Sequence, residues 1–568
     1  PALLQAARHM QHINIAIKSL ITITLHPQKY NNNLKKSAVL SGECVNFVFK
    51  LKFSGIMLTK IYGAAVHGID AIIVTIEVSV DTGIGYTIVG LPDAAVKESH
   101  ERIRTAMKQC GQNFPRRQVV VNMSPADVRK EGAAYDLPLA IGILAADGKV
   151  DGSRLGRFMM MGELSLDGSV LPIRGALPMA IKARELGYEG FIVPKANVKE
   201  AAVVNNIDIY GVECISEVID FFNGAARLVP TIVNTREEFF RTVNNYDFDF
   251  SEVRGQENVK RAFEVACAGG HNIILVGSPG SGKSMMAKRL PSILPPLSLQ
   301  EALETTKIHS VAGKLERGAT LMTRRPFRAP HHTISPVALV GGGTYPSPGE
   351  ISLAHNGILF LDELPEFSRQ VLEVMRQPLE DRHITISRAK YSVDYPASFM
   401  LVASMNPCPC GYYGHPTKPC TCPPGAVHKY LSKISGPLLD RIDIQIEVSP
   451  VQFDEMASNE PTESSASIRE RVVKAREIQQ RRFSGEKGVH CNAQMSSRLI
   501  RQYAQPDAEG LERLKEAMTR LSMSARAYDR ILKVARTIAD LAGSEKVTSA
   551  HLQEALSYRN LDRDNWAK

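Results

Sequence analysis

Apolar and polar positions divide the chain into stretches of different period. Between residues 57 and 225, short apolar runs alternate with segments of helical spacing. "AIIVTIEVSV" (71–80) and "RQVVVNM" (117–123) predict strands, and "GYEGFIVP" (187–194) and "IDIYGV" (207–212) predict shorter ones. "PDAAVKESHERIRTAMKQCG" (92–111) predicts a helix, opened by Pro92 and Asp93 and closed by Gly111. Together these make a compact α/β or α+β unit. Residues 226–250 lose the pattern and read as a connection. A second α/β block covers 251–450. After it, 451–467 contains the acidic, serine-rich run "DEMASNEPTESSAS" and reads as a linker. From 468 to 568 the spacing is helical: "LERLKEAMTRL" and "AYDRILKVARTIADLAG" repeat apolar residues every three or four positions. No short tandem repeat is present.

Composition adds limits. A chain of 568 residues is too long for one core. With 44% hydrophobic and 22% charged residues it has an ordinary globular composition. No apolar run approaches the ~18 residues that span a bilayer, so no membrane partner is expected. Nine cysteines, four of them between 408 and 422 and five scattered, fit a reducing cytoplasm rather than a disulfide framework. The net charge of +9 is misleading as a sign of nucleic acid. Residues 1–56 carry Arg8 and six lysines against Glu43 alone, a surplus of six that leaves three for the remainder. That segment lacks a clear period and begins with Pro1, and at Met57 the texture changes. It reads as an extension outside the fold, not native to it. The alternative is a disordered basic arm that touches nucleic acid.

The chemistry begins at "IILVGSPGSGKSMMAKRL", which is strand, glycine loop and helix in that order. Gly277, Gly282, Lys283 and Ser284 satisfy G-x-x-x-x-G-K-S, with Ser278, Pro279, Gly280 and Ser281 between them. Such a loop turns its N–H groups toward a polyphosphate, and the following helix presents its positive end. Lys283 would neutralise the β and γ phosphates of ATP, and Ser284 would ligate Mg²⁺. "GILFLDELPEF" is then a buried strand ending in two acids. Asp362 fits the Mg²⁺ shell through water, and Glu363 can deprotonate the attacking water. A third strand, "SFMLVASMNP", ends in Asn406, whose amide can hold that water. Arg441 in "GPLLDRIDIQIEV" and Arg526 in "SMSARAYDR" complete the set.

These motifs resemble the AAA+ ATPases, and within them the magnesium-chelatase-like branch. Over residues 57–568 the chain is similar to the bacterial YifB/ComM family. The resemblance is carried by "GSPGSGKS", "RPFRAPHHTISPVALVGGG", "PGEISLAHNGILFLDELPEF", "MNPCPCGYYG" and "GPLLDRIDI". It implies an α/β protein in three parts: an N-terminal domain of Lon-protease-like (ribosomal-protein-like) fold over 57–225, an AAA+ P-loop core with hairpin inserts over 251–450, and a helical lid over 468–568. It implies that Asn406 is sensor one, Arg441 the finger reaching a neighbouring subunit's nucleotide, and Arg526 sensor two. A finger supplied in trans is worth ~10³–10⁵ in rate, so a homo-oligomeric ring, a hexamer, is expected. In Lon-like proteases a serine-lysine dyad cuts. The comparable stretch here, "RKEGAAYDLPLAIGIL", offers Tyr135 and Asp136 but no serine, so a binding or ring-organising module is expected.

Two further stretches look like hairpins facing a pore. "TRRPFRAPHHTISPVALVGGG" carries Arg324, Arg325 and Arg328 beside His331 and His332, which as neighbours on a strand would point apart and hold no metal. "HITISRAKYSVDYP" alternates as strands do, with Arg388 and Lys390 at its turn. Basic tips suit tracking a DNA backbone without reading sequence; ordinary solvated hairpins are the plainer reading. "CPCGYYGHPTKPCTC" sets Cys408, Cys410, Cys420 and Cys422 as two C-x-C pairs, with His415 a spare ligand. A structural Zn²⁺ site, a metal-free loop and a redox pair all remain open.

The leading function is a DNA motor. ComM-type relatives are understood as branch-migration helicases in natural transformation, which implies single-stranded or branched DNA as partner. The alternatives are a metal-insertion motor like the magnesium chelatase subunit, and a protein remodeller gripping peptide through Tyr391.

Overall fold

The computed structural model describes residues 58–242, 246–316, 318–343, 346–388, 391–451, 462–520 and 523–559. The expectations for residues 1–56 and for Lys390 fall outside them, as does most of the acidic, serine-rich linker.

The alternation read in 71–80 holds in β2 (Asp70–Asp81) from Val74 onward, where Val74, Ile76, Val78 and Val80 turn inward. β2 pairs antiparallel with β1 (Thr59–His67) through a tight turn, and with β4 (Gln118–Ser124) on its other side. Parallel strands complete each flank: β3 (Gly85–Val89) beside β4, then β5 (Phe158–Met160), β6 (Gly190–Pro194) and β7 (Asp208–Val212) beyond β1. The seven-stranded order is β3-β4-β2-β1-β5-β6-β7. Helix α1 (Ala94–Gln109) starts where expected, because the Asp93 carboxylate accepts the Val96 N–H. Helix α2 (Asp136–Ala146) is buried along its whole length, which explains its unbroken run of apolar residues. Helix α3 (Ala176–Glu185) packs on β2.

A second sheet follows helix α4 (Glu257–Gly269). Its strands are β8 (Ile273–Gly277), β9 (Phe327–Arg328), β10 (Ile358–Leu361), β13 (Met400–Met405) and β14 (Ile444–Val448). All run parallel in the order β9-β10-β13-β8-β14. The central strands are buried throughout, and apolar except for Ser404, because both faces are covered. Ile273, Leu275, Ile358, Phe360, Met400 and Val402 face α4 and two long C-terminal helices, α7 (Ser465–Arg482) and α8 (Ala525–Leu541). Ile274, Val276, Leu359, Leu361, Leu401 and Ala403 face the other way, into a cluster that includes the β11 (His383–Arg388) and β12 (Tyr391–Pro396) hairpin. Residues 389 and 390, which join β11 to β12, are outside the described residues.

Two expectations need correction, for the first basic stretch and for 226–250, and the expected helix after the phosphate loop is present but short. "TRRPFRAPHHTISPVALVGGG" is not one hairpin: Phe327–Arg328 is the edge strand of the main sheet, and only Gly341–Gly342 and Ser347–Pro348 pair antiparallel. The helix after the phosphate loop, α5 (Lys283–Ala287), is one short turn and a half, and Pro291 sits in a separate 3₁₀ turn beyond it. Within 226–250, a helix forms at Thr235–Thr242.

The two sheets are joined by specific contacts. The Gly175 N–H donates to Ser310 O at the end of α6 (Leu299–Val311), and Ser310 Oγ donates to the buried Glu200 carboxylate. Lys307 on α6 pairs with Asp70 at 2.8 Å. The β1–β2 turn presses on the hairpin: a Cβ on Gly68 would stand 2.9 Å from Val393 Cγ1, and Ile69 joins the hairpin's apolar cluster.

Candidate nucleotide site

The carboxyl ends of β8, β10 and β13 open at one edge of the second sheet, where open parallel sheets bind ligands. Gly277 ends β8, and a Cβ there would stand 2.4 Å from Val448 O, so the strand's exit requires glycine. Gly280 and Gly282 hold φ of +81° and +87° and turn the loop. Lys283 is folded back beneath it. Its ammonium donates to Gly277 O at 2.7 Å and Ser278 O at 2.9 Å, and lies 3.5 Å from Ser281 Oγ. Burial pushes the Lys283 pKa down, opposed by the carboxylates of Asp362 and Glu363.

The acids come from β10. Asp362 Oδ2 accepts from Ser284 Oγ at 2.6 Å, and Oδ1 accepts from Ser404 Oγ and from the Glu363 N–H at 3.1 Å. A hydroxyl and a carboxylate side by side are hard oxygen donors of the kind Mg²⁺ takes, so the residues fit that ion. Glu363 adopts left-handed backbone, φ 54°, unusual for a non-glycine residue. Its carboxylate is more than half exposed, 3.7 Å from His332 Nδ1. Asn406, just past β13, puts Oδ1 3.3 Å from Lys283 Nζ. The structure therefore gathers Lys283, Ser284, Asp362 and Asn406 into one cluster, with Glu363 beside it. His332 is a neighbour that the sequence reading missed. Its ring lies 4.1 Å from that of His331, so the two histidines do not point apart as expected.

The two arginines stand differently. Arg441 is 7% exposed, donating to Pro437 O at 2.5 Å and pairing with Glu380 at 2.6 Å; its Nε has no hydrogen-bond partner. Arg526 is exposed in the first turn of α8. One turn further along, Arg530 pairs with Asp443, which is buried at the start of β14 and also accepts the Asn272 N–H at 3.1 Å. His271 Nδ1 lies 3.4 Å from the same carboxylate, and its Nε2 is 2.8 Å from Thr537 Oγ1 of α8. Burial would raise the Asp443 pKa, but the Arg530 guanidinium and His271 hold it far below the usual range. Burial pushes the His271 pKa down, opposed by the Asp443 carboxylate, and pushes Lys533 down to about 8.

The arginines expected on a basic tip are elsewhere. Arg325 donates to Pro295 O, Pro296 O, Asn356 O and the Glu301 carboxylate, and is nearly buried. Arg328 grips Glu350 through two bonds of 2.6 and 2.8 Å. Arg324 pairs with Asp247 at 3.3 Å. All three hold segments together rather than crown a hairpin. Of that set, Arg388 alone lies at the end of a described hairpin strand, opposite Tyr391.

The four cysteines converge: Cys408, Cys410, Cys420 and Cys422 have all their sulfurs within 4.8 Å of one another. His415 is turned away as a ligand, its Nδ1 accepting from the Thr417 and Lys418 N–H groups. At the start of α2, Tyr135 Oη donates to Ala64 O of β1, and Asp136 takes two bonds from Arg102 at 2.8 and 3.1 Å. Both side chains are occupied in holding the fold.

Three family models match in succession. "Subunit ChlI of Mg-chelatase" covers residues 76–197, "Magnesium chelatase, subunit ChlI" 249–456, and its C-terminal model 462–559. Competence protein ComM of Haemophilus influenzae is 42% identical over 508 residues, 89% of this chain and 98% of the relative. The chain belongs to the YifB/ComM family. YifB of Escherichia coli, uncharacterised, is 41% identical over 512 residues, with the same coverage of both chains. The magnesium-chelatase 38 kDa subunit of Cereibacter sphaeroides is 25% identical over 179 residues, 28% of this chain and 53% of the relative. The chain is thus a mixed α/β protein whose parallel second sheet belongs to a magnesium-chelatase-like, AAA+-type domain over 249–456. No helix among the described residues is long and apolar enough to cross a membrane.

Proposed function

We propose that the chain is an ATP-driven ring motor acting on DNA, a branch-migration helicase that serves recombination during natural transformation. The observation that carries the ATPase is the meeting of Lys283, Ser284, Asp362 and Asn406 at one sheet edge. In this reading Lys283 exchanges the loop carbonyls for the β and γ phosphates, and Ser284 and Asp362 hold Mg²⁺, which draws charge from the phosphates. Glu363 takes the proton of the attacking water, and Asn406 holds that water in line. Arg441 acts on a neighbouring protomer's nucleotide, which requires it to leave Glu380, so hydrolysis is tied to assembly into a hexamer. Arg526 senses the nucleotide from the lid. The N-terminal sheet, read as Lon-like without a nucleophile, organises the ring or binds DNA. The four cysteines hold a structural Zn²⁺.

The DNA reading rests on the competence relative and on the β11–β12 hairpin, whose first strand ends at Arg388, with Lys390 two residues further along the sequence. The chelatase-type models across the chain favour a second reading, a metal-insertion or protein-remodelling ATPase. ATP hydrolysis and strand exchange on a four-way or three-strand DNA substrate separate the two. DNA should stimulate the wild type, with a steep loss as salt rises, and Lys390→Ala should blunt the effect. No stimulation at low salt by single-stranded, duplex or branched DNA ends the motor reading. The ATPase itself would still stand on its own turnover.

A further inference from the structure

The cysteine cluster does not sit apart from the nucleotide site. Cys408 follows Asn406 by two residues, and the Asn406 amide touches Lys283 at 3.3 Å. Gly411, between the two cysteine pairs, lies flush against the phosphate loop. A Cβ on it would stand 2.4 Å from Cδ and 2.7 Å from Cγ of Pro279, and its φ of +85° strains any other residue. The knuckle thus forms an outer wall of the loop.

Its geometry is that of a mononuclear thiolate site. The Sγ pairs 408–410, 408–420 and 410–420 are 3.3, 3.7 and 3.5 Å apart. Zinc–sulfur arms of ~2.3 Å give a tetrahedron with edges of ~3.8 Å. Sulfurs this close leave no room for a polynuclear iron cluster. Backbone N–H groups already point at two of them: Tyr413 to Cys408 Sγ at 3.3 Å and Cys410 to Cys422 Sγ at 3.4 Å. Such second-shell bonds orient thiolates for a metal.

We infer that Cys408, Cys410, Cys420 and Cys422 bind one Zn²⁺ and that this metal-tied knuckle holds the phosphate loop in its binding shape, so that zinc and ATP binding are coupled. The inference rests on the reading of Gly277–Ser284 as the ATP site. Zinc fixes Gly411 against Pro279, and release of the metal lets the loop relax away from the form that wraps phosphate. Coupling is reciprocal: each ligand must tighten the other by the same factor.

The test uses the full chain, with zinc content by elemental analysis and affinity for a fluorescent ATP analogue by titration. One zinc per chain is expected, and its removal by a chelator should weaken nucleotide binding about tenfold, within the usual range of coupling. Saturating nucleotide should tighten zinc by the same factor in chelator competition. Gly411→Ala, which keeps all four thiols, should retain zinc and lose about tenfold in nucleotide affinity even if the stripped protein unfolds. Failure to bind zinc when it is supplied overturns the metal site. Zinc bound, but nucleotide affinity unchanged within about twofold both on stripping and in Gly411→Ala, overturns the coupling. Nucleotide bound by neither loaded nor stripped protein instead overturns the ATP site on which the inference stands.

Discussion

Replacing Asp443 with Asn should loosen the C-terminal helices without touching the phosphate loop. The Asp443 carboxylate is 2% exposed and ties the start of β14 to Arg530 on α8, with Asn272 and His271 around it. Asn keeps the volume and can still accept the Asn272 N–H. It removes the charge that compensates Arg530. Breaking one side of a buried pair costs ~3–5 kcal/mol. The Arg530 side chain is 20% exposed, so water recovers part of the loss and the low end applies. An opening free energy lower by ~3 kcal/mol makes local opening ~100-fold more frequent. Amide hydrogen exchange in peptides covering 525–541 should accelerate by about that factor at pH 7, with peptides of β8 little changed. ATP hydrolysis should fall as well, because Arg526 rides on the same helix. The pH dependence has a definite sign. The folded carboxyl titrates below its unfolded value, so its contribution is complete above ~pH 4 and is lost as pH falls toward the folded pKa. Asp443→Asn should lack that acid-side loss. Exchange in 525–541 altered by less than ~3-fold, under ~0.7 kcal/mol, would refute the argument that this pair anchors the helix.

Glu363→Gln should retain ATP and lose ~10²–10⁴ in turnover; near-normal hydrolysis would remove Glu363 as the base. Arg441→Ala should cost ~10³ or more in the assembled protein, whereas Glu380→Gln, which only frees the arginine, should leave turnover within about threefold. Equal damage from both would mean that Arg441 works by holding Glu380. Arg325→Ala should lower the melting temperature, since it strands buried carbonyls and Glu301, and should leave the salt slope of DNA binding unchanged. A slope reduced by ~1 would instead make Arg325 a phosphate contact.

The nucleotide site was legible because its parts are local. Each strand is a short apolar run, and its chemistry follows at the strand's end: Lys283 and Ser284 after β8, Asp362 and Glu363 after β10, Asn406 after β13. Parallel pairing then brings those ends together, a consequence of the fold class that the runs already imply. Contacts closed over long separations left no such trace. Arg325 reaches carbonyls 30 residues on either side, and Arg441 finds Glu380 across a hairpin, so neither partner shows in any periodicity. Phe327–Arg328 escaped notice as a strand because two residues among prolines and arginines give no alternation to read. The β1–β2 pair was half visible: "AIIVTIEVSV" alternates clearly, while "TKIYGAAVH" is diluted by glycine and alanine.

The seat of the β1–β2 turn against Val393 limits how the β11–β12 hairpin can travel. Val393 pairs with Ile386, only two rungs below the Arg388–Tyr391 rung that closes the described ladder. A lever propped so near its end cannot swing on its own root; a stroke there must push the N-terminal sheet ahead of it or first break Lys307 from Asp70. Whatever displaces the hairpin is thereby reported to the N-terminal sheet, and a load on that layer is felt in return at the hairpin.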